Sequence, residues 1–425
     1  MCLIILLAKK IIMLFEREFS EKSAHLFWEE CIQALNLTYK LEHIGKNIVT
    51  TVCNLIPEKE LPNQLINSLI GIGKGRSFAQ SNLSAQYEAI QHYLETIYNN
   101  KEIVLYYYTL EEVKLNNIFI LPGEPEEDFY ESILPDKKIA WLKMRSLLHY
   151  NSVIHFPIAC FDPYSVYLSP DEVDYKDKYF LSNDNGCAIG CSQNEALIHG
   201  ISEIIERDSI SLFLIKVFLC KQKIKILNIK SLPTHLQELC AQVEFEIQSE
   251  IVIVDLESSF KIQAFAVFAK NPGSDTPYKG YGASLSHDYA IERALLECVQ
   301  YYHLCNKYHW NEEASDLFVD IEDENYLQAA KLNIFNLLEK KFFDVIDYQC
   351  QESVIHLTSK NYLNEILLDI KENGFDVFFT QLYPFNNSVS LVKCFMPEIE
   401  NFYAICYGYI PLIKKRGKKL IELYS

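Results

Sequence analysis

The sequence predicts a mixed α+β fold in which several sheets pack against long helices. Apolar residues make up 49% and charged residues 23% of its 425 positions, the balance of a folded chain with a large core. Three long stretches, at 82–98, 192–214 and 288–302, repeat apolar side chains at helical spacing. Between them lie short alternating or β-branched runs bounded by Gly, Pro and Asn.

In chain order, the opening MCLIILLAKKIIMLF is too short for a membrane span, because Lys9-Lys10 breaks its apolar run. It lacks the small-residue cleavage site of a signal peptide, and Met13 is an alternative start. Glu16–Leu37 reads as an amphipathic helix with Phe19, Leu26, Phe27, Cys31 and Leu35 on its apolar side. Ile48–Ile56 alternates as a strand does. A glycine cluster, Gly71, Gly73 and Gly75, precedes the helix at Asn82–Tyr98. Residues 103–120 hold short β-type runs, followed by an acidic turn at Gly123–Glu127, and Val153–Phe161 reads as a strand. The loop Asn183–Gly190 opens the helix Ser192–Leu214. Strands at Glu250–Leu256 and Ile262–Ala269 lead through the turn NPGSDTPYKGYG to the helix Asp288–Tyr302. An acidic connection, Asp316–Asn325, precedes an α/β tail with strands near Val377–Phe379 and Val389–Phe395.

The net charge of −18 argues against a nucleic-acid groove, which needs basic residues to replace counterions, and disfavours an anionic membrane surface. Thirteen scattered cysteines form no CxxC pair and no zinc-type cluster, so reduced thiols in a cytoplasmic protein are expected. Cys187 and Cys191 read as small packed residues rather than nucleophiles. His199 and His287 read as structural, and the basic run 414–419 as a solvated terminus.

The three helices share a polar face. Ser84, Glu88 and Gln91 fall at i, i+4, i+7; Glu195, Glu203 and Glu206 at i, i+8, i+11 with Arg207 adjoining; Arg293, Glu297 and Gln300 at i, i+4, i+7. Singly, each has a plain reading. Ser192-x-x-Glu195 fits a capping box, and Glu203, Glu206 and Arg207 fit a surface charge cluster. The coincidence of three such faces, each opposite an apolar stripe, calls for a shared ligand. Carboxylates repel phosphates unless Mg²⁺ lies between them, so a metal-bound triphosphate fits, with Arg and Lys on the remaining oxygens. GIGKGRS lacks the GxxxxGK(S/T) pattern of a P-loop, and on its own it reads as a glycine turn.

With these parts placed, the sequence resembles the YcaO family of ATP-dependent enzymes over about residues 70–400. GKG at 73–75 precedes SAQYEAIQHY at 84–93, similar to S-A-x-x-E-A-I/L-E-R-Y. NGCAIGCSQNEALIHGISEIIERD at 185–208 is close to the family's N-G-x-A-x-G motif and its E-R-D helix. YGASLSHDYAIERALLECVQ at 281–300 and VKCFMPEIE at 392–400 match the later blocks. The resemblance implies a YcaO-like fold and divides the chain into an N-terminal extension (1–65, with 1–12 an artefactual start if Met13 is used), a catalytic domain (66–400) and a tail (401–425). It implies ATP and Mg²⁺ as cofactors, contacted by Ser84, Glu88, Glu195, Glu203, Glu206, Arg207, Arg293 and Glu297, with Asn185, Gln300 and Lys74 as further candidates. Glu88, Glu203, Glu206 and Glu297 are the metal ligands it implies, and no single catalytic residue is assigned.

The implied reaction phosphorylates a peptide backbone amide. It gives an azoline from Cys, Ser or Thr, or a thioamide from sulfide, in ribosomal peptide modification such as bacteriocin maturation. The implied partners are a precursor peptide and a separate E1-like or TfuA-type protein, because residues 1–65 are too short for the full peptide-clamping and E1-like modules; a homodimer is an open alternative for its assembly. Three departures stand out: Gln91-His92 in place of Glu-Arg, which removes a carboxylate expected near metal; Tyr302 in place of an Arg; and RGKKLIELYS in place of a Pro-x-Pro-x-Pro terminus, which favours a thioamide-forming member or a divergent cyclodehydratase. The competing reading is a catalytically degenerate subunit that binds peptide or nucleotide.

Overall fold

The structure, a computed structural model, describes residues 16–96, 99–109, 111–112, 137–160, 184–309, 316–349, 358–386 and 388–424. The opening apolar run with Met13 and the turn read at Gly123–Glu127 lie outside them. Helix α1 (Glu21–Ala34) is followed by β1 (Leu37–Ile44), β2 (Val49–Pro57), β3 (Ile70–Gly75) and α2 (Phe78–Glu95). Strands β4 (Leu105–Tyr108), β5 (Ile139–Ser146), β6 (Val153–Pro157) and β7 (Cys187–Gly190) precede α3 (Gln193–Leu214). Next come β8 (Ile224–Leu227), α4 (Thr234–Ile247), β9 (Ile251–Asp255), β10 (Gln263–Ala269), β11 (Tyr278–Ser284) and α5 (His287–Tyr308). The described chain closes with α6 (Glu324–Ala330), α7 (Ile334–Glu339), β12 (Phe343–Ile346), α8 (Ser359–Glu372), β13 (Phe378–Phe385), β14 (Val389–Phe395) and α9 (Lys415–Tyr424).

Three sheets result, in the orders β1-β2-β3, β11-β10-β9-β8-β12 and β4-β5-β13-β14-β7, with β6 paired to β5. In each, an edge strand (β3, β7 or β11) runs directly into one long helix (α2, α3 or α5). Each of these helices starts at a serine. Ser77, Ser192 and Ser286 are the N-caps, accepting from the backbone N–H of Gln80, Glu195 and Tyr289. Serine capping moves two helix starts from where periodicity placed them: α2 begins four residues before Asn82, and α5 is capped by Ser286 rather than Asp288. β1 and β2 form one sheet with β3, so residues before 66 pair with residues after it.

The glycine cluster is a strand and not a turn. Gly73 faces α2 so closely that a Cβ there would sit 2.1 Å from the Ala85 backbone nitrogen. Only glycine admits that approach. The same holds at Gly282 in β11, where a Cβ would lie 2.1 Å from the Ala290 carbonyl oxygen of α5. YKGYG therefore belongs to a strand, which corrects its reading as the end of a turn.

The first helix is shorter than Glu16–Leu37. Ser20 caps it, residues 16–19 precede it with only Glu16 buried, and Asn36 at φ 53° reverses the chain so that Leu37 opens β1. Its buried face is Trp28, Cys31 and Ile32, while Leu26 is exposed. At the other end, Lys415, Lys418 and Lys419 of the basic run are exposed, but Arg416 and the backbone around it are anchored. Arg416 donates to the fully buried Asp208 at 2.7 Å, and Glu400 accepts from the backbone of Lys414 and Gly417. No described helix is long and apolar enough to cross a membrane.

Candidate active site

The three serine-capped helices converge on one cleft of about 1210 Å³. Lys74, Ser84, Glu88, Glu195, Glu203, Glu206, Arg207, Arg293, Glu297 and Gln300 all line it. Asn185 does not; its backbone carbonyl accepts from the Lys393 ammonium at 2.7 Å, beside the entry to β7. The helical spacing brings each set of polar residues to one side, and the edge strands bring the sides together.

Charge in the cleft is unevenly matched. The Lys74 ammonium pairs with Glu297, whose other oxygen accepts from the Tyr281 N–H at 3.3 Å. Burial works against the ionised Glu297, but Lys74, Arg207 and Arg293 outweigh it and hold its carboxyl below the ordinary range. Glu203 fares differently. Burial, and then repulsion from Asp184 and Glu206, push its carboxyl up to about 8, although Arg207 stands 3.8 Å away. Burial also raises Glu88 and Glu206. Arg207 is braced from behind by Tyr403, with its guanidinium carbon 4.7 Å from the ring centre.

Glu195 fulfils half of its capping-box reading. Ser192 caps its N–H, but its own carboxylate accepts from Cys191 N at 3.0 Å and Glu18 N at 2.5 Å. Arg17 lies 3.7 Å from the same carboxylate and lines the cleft. Sequence reasoning missed Arg17 because it was absorbed into a helix; Ser20, a good N-cap just beyond it, was the available signal. Asp184, His92 and Tyr289 were also missed and also line the cleft. His199 lines it as well, and burial followed by Arg293, Arg17 and Lys74 lowers its imidazole well below the ordinary value, so it is neutral near pH 7. Cys187 and Cys191 are packed thiols, as read, and burial pushes Cys191 up to about 11.

These residues fit a metal-bound polyphosphate. Glu88, Glu203 and Glu206 are carboxylates whose ionised forms lack sufficient protein cations, the deficit that divalent ions would fill. Two buried groups that line the cleft, Arg293 Nε and Ser202 Oγ, have no hydrogen-bond partner among the described residues, as expected of donors kept for a ligand's oxygens.

Fold and cleft fit a class of ATP- and Mg²⁺-dependent enzymes, and the family match establishes that class. The model of the YcaO cyclodehydratase family, described as ATP- and Mg²⁺-binding, matches residues 72–400, and the chain belongs to that family. An uncharacterized protein of Methanothermobacter thermautotrophicus is 24% identical over 338 residues, 78% of this chain and 81% of that one. The structure of YcaO from Methanopyrus kandleri bound with AMPPCP and Mg²⁺ superposes with a TM-score of 0.66 at 18% identity, covering 94% of this chain and 98% of that one. A heterocyclase in complex with substrate and cofactor gives a TM-score of 0.61 at 17% identity, covering 91% of this chain but 53% of the other.

Proposed function

We propose that this chain activates a backbone amide of a precursor peptide with ATP and Mg²⁺, leading to an azoline or a thioamide. The observation that carries the reading is the convergence of Glu88, Glu203, Glu206 and Glu297 with Lys74, Arg207 and Arg293 in one cleft. In it, the four carboxylates hold Mg²⁺, and the three cations meet phosphate oxygens that the metal leaves free. When bound, Mg–ATP supplies the phosphoryl group that turns the amide oxygen into a leaving group once a nucleophile has added to the carbonyl carbon. The neutral His199 adds a hydrogen-bonding group without adding charge. In this reading a separate protein presents the peptide.

The test incubates the full-length protein with ATP, Mg²⁺, a partner and a Cys/Ser/Thr-rich candidate peptide, and follows ATP turnover and peptide mass. Net water loss marks an azoline, and exchange of oxygen for sulfur marks a thioamide. Glu206→Ala is expected to reduce turnover by about 10²-fold or more. Normal turnover in that variant overturns the site assignment. Absence of turnover with peptide and partner present overturns the reaction. A second reading, a degenerate subunit that binds nucleotide or peptide, has one observation in its favour. Gln91 donates its amide hydrogens to Glu95 at 2.9 Å and to the Cys187 carbonyl at 3.1 Å, so it adds no negative charge to the cleft. Nucleotide binding without peptide-stimulated turnover is its signature.

A further inference from the structure

One group of ligating side chains is not used by the reading above. His92 near the end of α2, Glu95 almost one turn further on, and Asp184 just ahead of β7 each offer a ligand atom, and these atoms lie within 4.8 Å of one another. Burial opposes charge on the His92 imidazole, while Glu95, Glu88 and Asp184 around it favour its charged form. His92 Nδ1 meets the Ile70 carbonyl at 2.6 Å, which fixes the ring and leaves Nε2 as the nitrogen able to bind. A backbone carbonyl on the far nitrogen is the usual support of a metal-bound imidazole. Glu95 is supported in the same way. It is 2% exposed, and Gln91 Nε2 donates to one of its oxygens at 2.9 Å.

We propose that His92, Glu95 and Asp184 form a binding site for a divalent transition-metal ion of the zinc class. The site adjoins the carboxylates assigned to Mg²⁺: Glu88 stands one turn before His92 on α2, and Asp184 repels Glu203 across the same cleft. The donor set selects the ion. One imidazole nitrogen with two carboxylates suits Zn²⁺, which takes three protein ligands and keeps a further position open. Mg²⁺ prefers oxygen ligands in near-ideal octahedral geometry and retains waters, so the imidazole discriminates against it. Asp184 is exposed and lines the cleft with His92, which gives the ion a route of entry. Binding ties the end of α2 to the segment entering β7, two elements otherwise linked here by Gln91 and the Cys187 carbonyl. The proposal stands whether or not the nucleotide reading holds.

The test strips the full-length protein with a chelator and titrates it with Zn²⁺ in excess Mg²⁺, without nucleotide, against a chromophoric competitor. The expected result is one Zn²⁺ per chain that Mg²⁺ does not displace, with a rise in melting temperature. Glu95→Gln and His92→Ala should lose at least about tenfold in Zn²⁺ affinity. His92→Arg is the variant that guards against misfolding, because it keeps a donor for the Ile70 carbonyl and a positive charge beside the carboxylates but cannot bind metal. It should fold, bind no Zn²⁺ and show no melting shift. Zn²⁺ binding that survives in His92→Arg, or wild-type protein that binds none in excess Mg²⁺, overturns the proposal.

Discussion

Glu297 on α5 and Glu203 on α3 face the same cleft, yet they rest in opposite electrostatic states. Glu297 has a lysine of its own, Lys74, brought across from β3, and its carboxyl is held low. Glu203 shares Arg207 with Glu206, faces Asp184, and is held up at about 8. The difference comes from where the neighbouring cation sits in the chain. Lys74 follows Gly73 in a strand on the far side of the cleft, whereas Arg207 belongs to the helix that carries both glutamates. One wall thus stays ionised by itself, and the other waits for a cation from outside. An acidic site that is partly neutral when empty avoids gathering four unbalanced charges in one cavity.

Replacing Lys74 is the most direct way to erase that contrast, and the largest effect is expected there. Lys74→Met leaves Glu297 without its counter-ion, so its carboxyl should rise toward the state of Glu203 and the cleft should lose a phosphate partner. Peptide-stimulated ATP turnover should fall by about 10²-fold, or about 2.7 kcal/mol of activation free energy, and its acidic limb should move to higher pH. Turnover and pH profile unchanged from wild type would mean that Lys74 does not set the state of the α5 wall.

A smaller effect tests the packing that holds the walls at their spacing. Gly282→Ala places a methyl group 2.1 Å from the Ala290 carbonyl and 2.8 Å from Arg293 Cβ, so α5 must move outward with Arg293 and Glu297. The expected loss is about 2 kcal/mol in unfolding free energy, measured by denaturant titration, together with weaker nucleotide binding. A variant as stable as wild type would show that α5 has room to shift. The same position shows what could be read from the sequence and what could not. The carboxylate faces were legible because helical spacing alone places Glu203 and Glu206, or Arg293 and Glu297, side by side. The glycines of β3 and β11 were misread, since a glycine needed for close helix approach looks the same in sequence as one needed for a turn. Two of the helix starts slid because Ser77 and Ser286 outrank the first periodic apolar residue as boundaries. Arg17 escaped because the Ser20 cap was passed over, and Asp184 because it joins the cleft only through long-range packing, which no local pattern records.

The smallest expected effect concerns Glu203 itself, and its sign follows from linkage. In the metal-free protein its carboxyl is raised from 4.5 to about 8, so the folded state keeps a proton that the unfolded chain has already released. The contribution to stability is full below pH 4.5, is lost as pH rises toward 8, and is constant above that. Glu88 and Glu206 are raised as well and add to the same trend. Because 23% of the Glu203 side chain is exposed, solvent screening keeps its share below what the full shift would give. Melting curves of metal-free protein between pH 5 and pH 8 should therefore fall less steeply for Glu203→Gln than for wild type. Added Mg²⁺ should flatten the wild-type slope, because a cation on the ionised carboxylate replaces the proton. A wild-type slope that neither the substitution nor Mg²⁺ changes would place the titrating group elsewhere and make the two walls of the cleft electrostatically alike.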